Sequence, residues 1–157
     1  MKTGTLVILM LLAASTTLAQ APGDSLAMSL QELEILQTPV RSFTNMETSW
    51  FNEHLGVSAA RGKAWTLNPV EVSLEFIAAA GAPFESITCT KLPIESPKTA
   101  TVTVIRGRYA DDSLRATWHR IELKNVGISR WILTSAKRAY LCQRGPQTAY
   151  FAADLCP

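Results

Sequence analysis

Hydrophobic positions follow three rhythms along this chain. From Leu6 to Ala14 (LVILMLLAA) they are continuous. Lys2 precedes that run, and Ser15-Thr16-Thr17-Leu18-Ala19 follows it, with Thr17 and Ala19 at the −3 and −1 positions of a cut after Ala19. A positive start, a short apolar run and small residues at a cleavage site predict a secretory signal peptide over residues 1–19. The run falls short of the about 20 apolar residues that a membrane span needs. No Cys follows the cut to carry a lipid, and no later stretch is apolar enough to span a bilayer, so the mature chain, residues 20–157, is expected to be soluble.

The second rhythm is helical. Leu26, Leu30, Leu33 and Leu36 predict a helix over about 25–37, capped by Asp24 or Ser25 or, if it starts later, by the capping box Ser29-x-x-Glu32, and ended by Pro39. Thr44-x-x-Glu47 predicts a second helix near 45–55, with Gly56 in the position of a C-terminal glycine. Residues 56–66 read as a loop with Trp65 turned inward. Asn68-Pro69-x-Glu71 then opens the best-marked element, a helix over 69–80: Asn68 caps, Pro69 suits the first turn, and Glu71 meets the positive helix end. Val70, Leu74 and Ile77 form its apolar stripe, widened by Val72 and Phe76, and Gly81 and Pro83 stop it. Pro83, Pro93 and Pro97 argue against regular structure across 82–100, apart from a brief strand at Ile87–Thr90.

From Thr99 the rhythm shortens to two. Thr101-Val102-Thr103-Val104-Ile105 is β-branched, and Asp111-Asp112-Ser113 is a turn. Leu114, Ala116 and Trp118 alternate on one side while Ile121 and Leu123 fall on the other, which calls for a bulge near His119/Arg120. Asn125-Val126-Gly127 turns the chain into a strand at Trp131–Ser135 that Ala139–Cys142 can extend. The prediction is a single α+β domain, with N-terminal helices packed on a C-terminal antiparallel β-meander, cystatin-like or NTF2-like by analogy.

Charge adds one feature. Residues 20–100 hold five basic and nine acidic side chains, whereas residues 101–157 hold nine basic and four acidic. The favoured explanation is mutual attraction between the halves within one domain; the alternative is an anion-binding face on the C-terminal half. The basic excess is too small for nucleic-acid binding. Export makes disulfides available, and Cys142 and Cys156, with thirteen residues between them, are expected to pair and pin the tail. Cys89 is then odd: a buried thiol, an intermolecular link or a competing partner for Cys142.

Tyr109-Ala110-Asp111-Asp112-Ser113-Leu114-Arg115-Ala116, Trp131 opening a strand, Cys142-x-Arg144-Gly145 and Cys156 together resemble a family of small uncharacterised exported bacterial proteins. That family has an Ala-Asp-Asp-Ser-Val-Arg turn, a tryptophan-bearing strand and a cysteine-bounded tail. Trp65 and the helix opened by Asn68-Pro69 fit as well. The resemblance implies an envelope location, periplasmic or secreted, and no known activity. The chain departs from it at Arg144-Gly145-Pro146-Gln147, where the family often carries Gly-Arg-Gly-His-Gln.

Candidate chemistry is sparse. Asp111 and Asp112 are expected to serve the turn, with Arg115 pairing with one of them, rather than to hold a cation. His54 and His119 stand in no metal spacing, no cofactor motif occurs, and His119, between Arg115 and Arg120, is expected at a strand surface. Lys137, Arg138, Tyr140 and Arg144, with Arg120, are the candidate ligand-binding residues, suited to an anionic ligand or an acidic protein partner. Three readings of function follow. The first is a non-enzymatic binding protein with Trp118 or Trp131 at the mouth of a concave sheet and a basic rim. The second is a hydrolase using His119 with Asp111 or Asp112, and the third an accessory module without a pocket.

Overall fold

The computed structural model describes residues 29–77, 84–110, 112–127 and 130–157. The expected signal peptide and the leader to residue 28 lie outside them. The order of elements is α1 (Leu30–Gln37), β1 (Thr44–Asn45), α2 (Ser49–Ala60), a 3₁₀ turn (Ala64–Leu67), α3 (Pro69–Phe76), β2 (Phe84–Leu92), β3 (Thr99–Gly107), β4 (Leu114–Asn125) and β5 (Trp131–Cys142). The strands form one antiparallel sheet in the order β1-β5-β4-β3-β2. Helices precede the meander, so the fold is α+β.

The helices start where local chemistry satisfies their first amides. Ser29 and Glu32 form the reciprocal capping box, so α1 begins at Leu30 rather than near residue 25. In α3, Asn68 accepts the Val70 N–H at 3.0 Å and Pro69 opens the helix. Its buried side is centred on Val72, Ser73 and Phe76, with Val70, Leu74 and Ile77 only partly covered. The end expected at residue 80 lies outside the described residues. The expected helix at 45–55 is displaced. Thr44 and Asn45 pair with Arg138 and Lys137 as β1, and the helix runs from Ser49 to Ala60. Glu47 does not close a capping box with Thr44; its carboxylate accepts from the Thr48 and Ser49 N–H groups. Gly56 ends nothing, because it lies inside α2, where an added Cβ would stand 3.1 Å from the Arg130 guanidinium.

The largest departure is β2. The prolines around it do not break the segment; they bound a nine-residue strand in continuous register with β3. Pro83 precedes it, and Pro93 follows in a turn entered through a cis peptide bond.

Register explains how both faces of the sheet are used. On one face the cross-strand rows are Cys89–Val102–Ile121–Ala136 and Lys91–Ala100–Leu123–Leu133. Phe51 and Leu55 of α2 and Val72 and Phe76 of α3 pack against these apolar positions. On the other face, at the opposite end of the strands, Ile35 of α1 packs with Ala116, Ala139, Leu141 and Phe151, beside Ile105 and Trp118. β4 is therefore apolar first on one side and then on the other, and no bulge at His119/Arg120 is needed. The irregularities fall instead between Leu114 and Ala116 and between Glu122 and Leu123; the second lets Leu133 and Ala136 share a face.

The outer edge of β5 is closed along its length. The Asn52 side-chain amide donates to Leu133 C=O and accepts from Leu133 N–H, both at 2.9 Å. Met46 N–H donates to Ala136 C=O, and β1 follows. Ala152 of the tail pairs with Tyr140 through bonds of 2.8 and 2.9 Å. The tail is held there by a Cys142–Cys156 disulfide, with Cα atoms 5.4 Å apart, and by Phe151, which bonds to Pro39 and Arg41.

Candidate anion site on the sheet

Beyond the α2/α3 contact, the same sheet face turns polar. The next row is Ile87–Val104–His119–Arg138, and the last is Glu85–Arg106–Thr117–Tyr140. Directly opposite side chains in such rows lie about 5 Å apart, so Arg106, His119, Arg138 and Tyr140 form one patch. Arg106 is 4% exposed and His119 8%. Arg106 forms an ion pair with the partly exposed Glu85 through its Nε. The Arg138 guanidinium lies 5.1 Å from the Tyr140 ring centre, and Tyr109 and Thr117 share a hydroxyl–hydroxyl bond of 2.7 Å.

Three buried nitrogens in this patch, Arg106 Nη2, Arg138 Nε and His119 Nδ1, have no hydrogen-bond partner among the described residues. Buried donors are normally satisfied, and a buried cation with a free donor carries a desolvation cost that an anion would offset. Burial, followed by the Arg106 and Arg138 charges, pushes the His119 imidazole down to about 4, so it is neutral at pH 7. Two guanidinium charges against the one Glu85 carboxylate leave the patch a net cation. In charge and donor chemistry it suits a carboxylate, phosphate or sulfate group.

The sequence candidates do not assemble as one cluster. Arg138 and Tyr140 belong to this patch. Lys137 and Arg120 face each other on the opposite side of the sheet, where Lys137 lies 4.5 Å from the Phe43 ring centre and Arg120 pairs loosely with Glu122 at 3.5 Å. Alternation along β5 separates Lys137 from Arg138. Arg144 sits beyond β5 and pairs with Asp112 at 3.0 Å. Arg115 does not hold the Asp112 turn: it pairs with Glu34 of α1 at 2.7 Å, while Arg108 takes Glu32 at 3.2 Å. These two pairs, with Glu85–Arg106, join acidic residues of the first half to bases of the second, as the favoured reading of the charge asymmetry expects.

His119 is a buried position, not a surface one. It also does not meet Asp112: the five residue steps from Leu114 to His119 alone span about 16 Å as a strand, and Asp112 is exposed at the turn. Asp111 lies outside the described residues. Trp131 is buried under α2 and α3. Trp118 instead lines an open groove of about 360 Å³ on the α1 side with Leu36, Ser86, Thr88, Thr103 and Ile105. Cys89 is a free, half-buried thiol on β2, its titration pushed up by burial. Among the described residues no three His, Cys, Asp or Glu side chains converge, and no helix is long and apolar enough to cross a membrane. No protein-family model, curated protein or solved structure matches this chain.

Proposed function

We propose that this chain is an exported, non-enzymatic binding protein of the bacterial envelope whose ligand presents an oxyanion to Arg106, His119 and Arg138. The carrying observation is the set of three buried, unpartnered nitrogens in one cationic patch. Lys2, the Leu6–Ala14 run and the small residues before Gln20 support the export half of the reading. The disulfide is consistent with an oxidising compartment. A helical layer lying across an antiparallel meander is also the general plan of cystatin-like and NTF2-like cones, the architecture within which this reading is framed. The hydrolase alternative lacks its dyad with Asp112.

The test is an NMR titration of His119 and the arginine side chains with inorganic phosphate and with acetate. An anion beside the imidazole favours its charged form, so binding should raise the pH at which His119 titrates. Arg138→Gln should abolish the response. If neither anion perturbs His119 and Arg138→Gln changes nothing, the reading is wrong.

The groove at Trp118 favours a second reading, in which the apolar body of an amphipathic ligand rests on Trp118 and Ile105. Its polar edge would meet Thr88 and Thr103, with Arg120 beside Thr103 at the rim. Ligand-dependent shifts confined to the Trp118 indole, with His119 unmoved, would favour this reading over the first.

A further inference from the structure

The two edges of the sheet are treated differently. Three devices close β5: the Asn52 amide at Leu133, Met46 and β1 at Ala136–Arg138, and the disulfide-held tail at Tyr140. β2 is longer than many central strands, yet among the described residues no backbone group pairs with its outer side; the bonds to Leu92 C=O come from Lys98 and Thr99 in the turn toward β3. An open edge strand is a template for pairing with another strand, and proteins usually blunt it with proline, bulges, inward charges or brevity. β2 has no internal proline, keeps unbroken register with β3 for nine residues, and leaves Ile87 39% and Leu92 58% exposed.

The charge pattern of β2 names the partner. Its charged residues are Glu85 and Lys91, placed symmetrically about Thr88. If two copies pair antiparallel with Thr88 facing Thr88, Glu85 of each copy faces Lys91 of the other, and Ile87 faces Cys89. All four lie on the sheet face that carries the anion patch, since Glu85, Ile87, Cys89 and Lys91 stand opposite Arg106, Val104, Val102 and Ala100. Opposite charges directly across a strand pair stabilise it, and each such pair occurs twice in a two-fold arrangement. Glu85 can accept from Lys91 while keeping Arg106, because a carboxylate offers several acceptor positions. Ile87 loses exposure against Cys89 of the second copy.

We infer that β2 is a self-association edge, joining two copies through an antiparallel β2–β2 pair centred on Thr88 into one continuous sheet. Sedimentation velocity of the mature chain, residues 20–157, should show a concentration-dependent dimer. Thr88→Lys, which sets two like charges face to face at an exposed position, should raise the dimer dissociation constant roughly tenfold or more. In a Cys89→Ser background, Thr88→Cys should form an intermolecular disulfide on mild oxidation, since directly opposite Cβ atoms are about 4.5–5.5 Å apart. Thr90→Cys, which faces Ser86 in this register, should not. The cysteine pair keeps the inference testable if Thr88→Lys fails to fold. A chain that stays monomeric at every concentration overturns the inference. So does a dimer indifferent to Thr88→Lys, or one that cross-links equally through Thr90→Cys.

Discussion

The depressed His119 makes stability depend on pH in a window where ordinary carboxylates contribute little. In the unfolded chain the imidazole takes its proton near 6.5; in the folded chain it stays neutral until about 4 because it is buried and faces Arg106 and Arg138. Between those values the unfolded state binds the extra proton, so stability falls as pH drops from about 6.5 to about 4 and levels off below. With about 1.4 kcal/mol for each unit of separation, the complete effect is about 3 kcal/mol, a sizeable part of a typical domain stability of about 5–15 kcal/mol. Glu32 and Glu34, held low by bonds from Ser29 and Arg115 respectively, and Glu47, held low by Ser49, add destabilisation of the same sign, but only below their ordinary value of 4.5. Urea unfolding followed by tryptophan fluorescence, across pH 7 to 4, in wild type and His119→Gln separates the two sources, because the variant retains the carboxylates. The wild-type curve should fall relative to the variant across the window. Parallel curves, or an imidazole titrating near 6.5 in the folded protein, would refute the reasoning.

Three further outcomes follow from the closed edge. Asn52→Ala removes both bonds to Leu133 and should cost about 1–3 kcal/mol, with amide exchange at Leu133 rising first; unchanged exchange there would contradict the clamp. Phe151 is fully buried between α1 and β5, so Phe151→Ala should cost about 3–5 kcal/mol, measured by denaturant unfolding; a loss below about 1 kcal/mol would mean the tail does not dock. Replacing Cys142 and Cys156 together by Ser should lower stability by roughly 3 kcal/mol. Combined with Phe151→Ala the losses should add incompletely, since both act on tail docking.

What could be read from the sequence depended on how local its cause was. Asn68-Pro69-x-Glu71 specifies a helix start within four residues, and α3 begins there. Thr44-x-x-Glu47 has an equally good local pattern but loses to pairing with Arg138 and Lys137, more than ninety positions away. β2 was obscured because prolines mark both the ends of strands and irregular segments, and only the partner β3 distinguishes them. The patch was partly legible. Extending the Val102/Val104 alternation by two reaches Arg106, and extending Ile121/Leu123 backwards reaches His119. Both steps place a polar side chain on a core-facing register. The same alternation separates Lys137 from Arg138, which proximity in sequence had joined. The capture of Arg115 by Glu34 depends on where α1 crosses the sheet, and no spacing in the chain encodes that.

The two apolar half-faces lie at opposite ends of the strands and on opposite sides of the sheet, so the molecule has two cores bridged by β3, β4 and β5. The α1–tail core is the smaller, and its helix is only eight residues long. Such a unit is suited to open by itself while the α2/α3 core stays intact. Hydrogen exchange would then resolve two levels of protection rather than one: a lower level for Ile35, Phe151 and Ala152, and a global level for Val102, Ile121 and Leu123. The boundary between those levels falls across the rows that carry Arg106 and His119, whose side chains stand on the α2/α3 face of the sheet, away from α1.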